Sequence, residues 1–89
     1  MSGVVRQGDK DSGGGAVTKG VDSVLVNGRP ISVDGSPVSG HRPWMEHNNP
    51  KTSGGLQSVI ANGIPINIIG NPDTCGHNRS EGSGDVVAG

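Results

Sequence analysis

His41, His47, Cys75 and His77 are the only histidines and the only cysteine in the 89 residues. All four fall in two stretches of irregular pattern, 38–54 and 73–81. One thiolate and three imidazoles make a complete tetrahedral zinc shell, the closed donor set of a structural site. The spacings Cys-x-His and His-x5-His are not those of a zinc finger. The set rests instead on the absence of any other Cys or His, and on the placing of both stretches after a like Gly-x-Pro, Gly35-Ser36-Pro37 and Gly70-Asn71-Pro72. The expectation is one structural Zn2+ held by His41, His47, Cys75 and His77, with iron as the rival occupant. The plainer alternative is three surface histidines and a buried free thiol. An enzyme would need a Cys75–His77 nucleophilic pair with an oriented base and an oxyanion site, and a chain this poor in core supplies no obvious pocket, so no catalysis is expected.

Other residues offer weaker chemistry. Gly13-Gly14-Gly15 could cradle a phosphate, but no Lys-Ser/Thr and no helix follow it; a turn fits better. Asp9, Asp34 and Asp73 adjoin turn glycines and prolines, where carboxylates hold turns more often than they bind calcium. Trp44, the sole aromatic, lies between Pro43 and Met45 and is expected to cap the metal loop.

The elements that must position these residues are written twice. The stretch from Gly20 to Pro37 recurs 35 positions later, from Gly55 to Pro72, with nine of eighteen positions identical. Such self-similarity is the first signal of a repeat architecture. In each copy an aliphatic run, Val24-Leu25-Val26 or Val59-Ile60-Ala61, meets Asn-Gly, which suits the two positive φ angles of a type I′ hairpin turn. The turn sets the register: Val26 opposite Arg29, Leu25 opposite Pro30 and Val24 opposite Ile31, then Ala61 opposite Ile64, Ile60 opposite Pro65 and Val59 opposite Ile66. Alternation puts Val24, Ile31, Val33, Val59, Ile64, Ile66 and Ile68 on one face, taken as the core. Leu25 and Ile60 point the other way, beside prolines that should sit where no ladder bond is needed.

The two ends of the sequence complete the pattern. Residues 2–9 read as a return arm without its outgoing arm, and residues 82–88 as an outgoing arm, with Val86-Val87-Ala88 standing for Val24-Leu25-Val26. Paired, they make a third hairpin. The expected fold is all-β: three pseudo-symmetric β-hairpin repeats forming a small cone, the third hairpin made by the N- and C-terminal segments, with residues 1–89 as a single domain. Leu25, Ile60 and Val87 then occupy equivalent positions away from the core and are candidates for an apolar base, unless they fill a second core layer.

Composition narrows the function. Only 29% of residues are hydrophobic, so the core is thin, yet the formal net charge is −1, too small for repulsion to keep the chain unfolded. A domain this small needs a staple or a partner, and one cysteine excludes an internal disulfide. The seven cations are scattered and have no aromatics interleaved, which argues against nucleic acid. No apolar run is long enough to span a membrane, and the N-terminus lacks the apolar stretch of a signal peptide; cytoplasmic synthesis is expected.

The repeat resembles that of the PAAR-repeat proteins, the small conical caps of contractile injection machines. That family's repeat runs outgoing strand, N-G-x-P, return strand, G-D, then a connector with Cys and His. Val24-Leu25-Val26-Asn27-Gly28-Arg29-Pro30 and Val59-Ile60-Ala61-Asn62-Gly63-Ile64-Pro65 carry the strand and turn. Val5-Arg6-Gln7-Gly8-Asp9 carries the G-D element, and Asn71-Pro72-Asp73-Thr74-Cys75-Gly76-His77 looks like the Cys-Gly-His connector. The likeness spans nearly the whole chain. The P-A-A-R string is absent: Ile31-Ser32-Val33 and Ile66-Asn67-Ile68 stand in its place, and Gly35-Ser36 and Gly70-Asn71 replace two G-D elements.

The resemblance implies a sharpened tip, a monomer seated on the blunt end of a trimeric β-helical spike protein, with a zinc near the vertex held by three His and one Cys. Its settings are phage central spikes and bacterial type VI secretion. The divergent repeats, and the lack of a further domain after Gly89, favour a bare tip in a contractile phage tail that helps pierce a membrane. The alternatives are a type VI secretion spike tip and a free-standing zinc-binding adaptor. The implied partners are the spike and, transiently, a target-cell membrane, with no nucleic acid and no small-molecule substrate. The implied location is the virion tail tip, or the outside of the cell for a secreted tip.

Overall fold

The structure, a computed structural model, describes residues 2–39, 50–74 and 76–89. Its strands are β1 (Ser2–Gly3), β2 (Val21–Val26), β3 (Arg29–Ile31), β4 (Leu56–Ala61), β5 (Ile64–Ile66) and β6 (Val87–Ala88). They form three antiparallel two-stranded sheets, β2–β3, β4–β5 and β1–β6. The fold is the expected all-β cone of three hairpins. The terminal segments do make the third, through Ser2 opposite Ala88 and Gly3 opposite Val87.

Asn-Gly sets the two inner turns. Asn27 and Asn62 take φ of 54° and 53°, and Gly28 and Gly63 both take 79°, the pair of positive angles that a two-residue turn on right-twisted strands requires. Near the turns the register is as expected: Val26 opposite Arg29 and Leu25 opposite Pro30, with Ala61 opposite Ile64 and Ile60 opposite Pro65.

Further along, the register differs. Ile31 faces Val21 and Ile66 faces Leu56, with a slip between Val21 and Leu25 and its counterpart between Leu56 and Ile60. The outgoing strand therefore carries extra residues that bow away from the return strand. Val59, expected in the core, is consequently exposed, and Val24 is only half-buried. Val21, Val24 and Leu56 pack against the core. The strand returns to its partner at Gly20, Gly55 and Gly82. A Cβ there would lie 2.5 Å from the Ile31 carbonyl, 2.7 Å from that of Ile66 and 2.9 Å from that of Gly3. Only a residue without a side chain permits that approach.

The hairpins join around an axis. The Val5 N–H donates to the Asn67 carbonyl at 2.9 Å, the Ser32 N–H to the Val5 carbonyl at 2.9 Å, and the Asn67 N–H to the Ser32 carbonyl at 3.0 Å. The three residues occupy equivalent repeat positions and are fully buried. Val4 bridges to Ile68, Arg6 to Ile31 and Val33 to Ile66 around the same axis. Val4, Val26, Ile31, Val33, Ala61 and Ile66 are the buried cluster beside it. A second circle of bridges joins the connectors: Asp11 to Arg79, Val17 to Val38 and Thr52 to Asp73.

A glycine pair tests the account of the bowed strands. In Gly55→Ala the new Cβ would meet backbone at 2.7 Å and the Asp34 carboxylate at 2.6 Å, and overpacking of this kind costs on the order of 1–3 kcal/mol. Gly84 has nothing within 4 Å of such a Cβ, so Gly84→Ala should shift stability by no more than about 0.5 kcal/mol. Urea unfolding midpoints compare the two.

Candidate functional site

His41, His47 and Cys75, with Trp44, lie outside the described residues. His77 is half-buried on the third connector, and its carbonyl accepts the Asp73 N–H at 2.7 Å. Among the described residues no group of three or more His, Cys, Asp or Glu could hold a metal ion, and the chain has a single cysteine. The expected structural zinc, and iron as its rival, are corrected accordingly. In the described fold a buried ion cluster ties the first connector to the third.

Its centre is Arg79, whose side chain has no solvent exposure, nor have those of Asp11 and Asp73. Arg79 Nη2 lies 2.9 Å from Asp73 Oδ2 and 3.2 Å from Asp11 Oδ2, and donates to the Gly15 carbonyl at 2.8 Å. Nη1 donates to the Asp9 carbonyl at 3.2 Å. One guanidinium fork thus joins the first connector, its glycine turn and the third connector. Asp11 Oδ1 accepts the N–H groups of Gly13 and Gly15 at 2.9 and 2.8 Å. The glycine run is a turn, as expected, and its amides are turned onto the chain's own carboxylate.

Two carboxylates share one guanidinium, so the cluster carries an excess negative charge if both are ionised. Burial pushes the Asp73 carboxyl up from 3.8 to about 7; a hydrogen bond with Asp11 and that group's charge add to the rise, and Arg79 opposes it. Protonation of one of the two acids leaves the cluster neutral. Removing one partner of a buried pair of this kind typically costs about 3–5 kcal/mol, a large part of the stability of a small domain.

Asp9 holds a turn, as expected, whereas Asp34 links its own hairpin to the next. Asp9 Oδ2 accepts the Arg6 backbone N–H at 2.8 Å, and Arg6 and Arg29 both reach its carboxylate at 2.9 Å. Burial works against ionisation of Asp9, but the hydrogen bonds from Arg6 and the charges of Arg6 and Arg29 outweigh it and hold the group below 3.8. Ser36 and Asn71, at the equivalent positions, accept the N–H of Val33 at 3.1 Å and of Ile68 at 2.8 Å. The G-D element and its two departures therefore do one job, closing a tight turn through a side-chain oxygen. Asp34 Oδ1 accepts the Gly55 N–H and the Asn67 side-chain amide, both at 2.8 Å.

Asp11, Arg79, Ser32 and Asn67 were not singled out by sequence reasoning. Repeat register carried the signal. Asp11 and Asp73 align with Val38, and Arg79 aligns with Val17 and Thr52, all buried. Two acids and one Arg at inward positions of a repeat call for each other.

Leu25 and Ile60 are each 60% exposed and Val87 is 42% exposed. The three candidates for the base are thus on the surface, at equivalent positions of the three hairpins, and do not form a second core layer. The exposed Val59 and Val86 adjoin them.

A family model described as PAAR motif matches residues 7–78. No curated protein matches the chain.

The acid cluster gives a pH dependence whose sign follows from the raised Asp73. Below 3.8 the group is protonated in both folded and unfolded chains, and its contribution is fully present. As pH rises towards about 7 the unfolded chain releases a proton that the folded chain keeps, so this contribution to stability is lost across that window. Asp9 acts in the reverse sense and below 3.8, where its lowered value makes stability fall on acidification. Urea unfolding across the upper window should show stability falling with pH, and Asp73→Asn should flatten that slope.

Proposed function

The chain belongs to the PAAR-motif family, and from that membership we propose that it caps and sharpens a trimeric β-helical spike in a contractile phage tail. Membership makes it a structural tip or adaptor of phage-tail-like assemblies, and a non-catalytic one. The finer reading assigns residues 1–89 to one tip domain, made in the cytoplasm and carried at the end of the tail, where it meets the target membrane first and lowers the force needed to pierce it.

One observation carries this reading: the exposed triad of Leu25, Ile60 and Val87. A single chain can match a true trimer only by offering three similar patches, one to each subunit. Apolar side chains left in water at three equivalent positions are suited to that. Rigidity of the connectors supports it too. A point that transmits thrust must not shear, and the connectors are tied by fully buried charged groups in place of a large apolar core.

Leu25→Asp combined with Ile60→Asp should weaken binding to a trimeric spike fragment by more than tenfold, about 1.4 kcal/mol. The tip should keep its unfolding midpoint, since both side chains are already in water. Sizing of the mixture and titration calorimetry read the two effects. Unchanged binding would remove the base from the account.

A further inference from the structure

Two hairpins turn on the same dipeptide, with almost the same backbone, but their asparagine side chains are held differently. Asn27 Oδ1 accepts Arg6 Nη1 at 2.9 Å and Ser83 Oγ at 2.5 Å, and Asn27 Nδ2 donates to Asp85 Oδ2 at 3.5 Å. The bond from Arg6 is charge-assisted, the stronger kind. At the second turn the residues in the places of Arg6 and Ser83 are Val33 and Val21, which have nothing to donate. The Asn62 side chain makes no hydrogen bond to a described residue, and neither does the Gly63 N–H. Both residues are exposed, and a Cβ built on Gly63 would meet nothing within 4 Å.

We propose that Asn62 is a site of spontaneous deamidation and that Asn27 is its protected counterpart. The Gly63 backbone nitrogen, having lost its proton to a solvent base, attacks Asn62 Cγ. The N–Cγ bond forms and the Cγ–Nδ2 bond breaks; Nδ2 takes up a proton and leaves as ammonia. The resulting five-membered succinimide takes up one water, which opens it at either carbonyl to an aspartyl or an isoaspartyl link. One water enters, one ammonia leaves, and nothing is oxidised or reduced.

The attack needs Cγ to swing onto the following nitrogen, and the turn backbone must relax to admit it. That backbone cost is common to both turns, whose φ angles agree within a degree, so it cancels in the comparison. What differs is the side chain. The Asn27 amide must first break its bonds to Arg6 and Ser83; the Asn62 amide breaks none. The aspartyl product adds a negative charge to the exposed turn and still tolerates the left-handed conformation. The isoaspartyl product puts an extra carbon into the main chain, which a two-residue turn does not accommodate.

The test incubates the full chain folded at mildly alkaline pH, and in parallel unfolded in urea, and follows each Asn-Gly by peptide mapping with mass spectrometry. Asn62 should convert several-fold faster than Asn27 in the folded chain, and the two should convert at similar rates in urea. Ser83→Ala should speed Asn27 and leave Asn62 unchanged. Equal rates in the folded chain, or a faster Asn27, would overturn the proposal; because that comparison uses the wild-type chain, it decides even if Ser83→Ala fails to fold.

Discussion

Three backbone hydrogen bonds, from Val5 to Asn67, from Ser32 to Val5 and from Asn67 to Ser32, close a ring on which the rest of the molecule depends. Each hairpin supplies one residue, and each residue donates to one neighbour and accepts from the other. No hairpin can leave without breaking two of the three bonds and stranding buried donors and acceptors, which is costly where water cannot replace the partner. Isolated two-stranded hairpins are marginal in water. Here each is held by the other two, so strands as short as two residues suffice at the chain ends.

The ring also explains how so little apolar material makes a fold. The axis admits polar residues provided they are paired: Ser32 Oγ donates to Asn67 Oδ1 at 2.7 Å, and Asn67 passes the contact on to Asp34. Further along, Thr52 Oγ1 donates to the Val33 carbonyl at 2.7 Å, and beyond it Arg79 gathers two carboxylates and two carbonyls. Polar pairing with fixed geometry replaces the mass of a core. It also specifies one arrangement, since a slipped repeat would put Val17 or Thr52 against the acids that Arg79 now serves.

The sequence made the hairpins legible because Asn-Gly and the 35-residue offset are local or self-referential signals. The 35-residue offset placed Leu25 with Ile60, the match of the terminal segment to the outgoing arm added Val87, and the three are exposed as a set. Alternation failed beyond the turns, where Val21 and Leu56 take the pairing expected of Val24 and Val59 and Val59 is left exposed, because a bowed strand breaks the period of two on which alternation rests. The mark of that bow was the recurring Gly20, Gly55 and Gly82. Buried Arg79 and Asp11 were missed for a related reason. Arg79 counts as one scattered charge along the chain, and only the three-fold stacking of Asp11, Val38 and Asp73 puts it opposite its partners. The zinc expectation arose from the same search for a staple, and among the described residues no group of His, Cys, Asp or Glu could hold a metal ion.

Amide hydrogen exchange at the axial ring tests the central claim, that three hairpins stand or fall as one unit. If the ring is the common support, the Val5, Ser32 and Asn67 amides exchange only through global unfolding. Their opening free energies then equal one another and match that from urea denaturation. A Val5 amide that exchanges well ahead of Ser32 and Asn67 would contradict the account, because the terminal hairpin would then open while the other two stay folded.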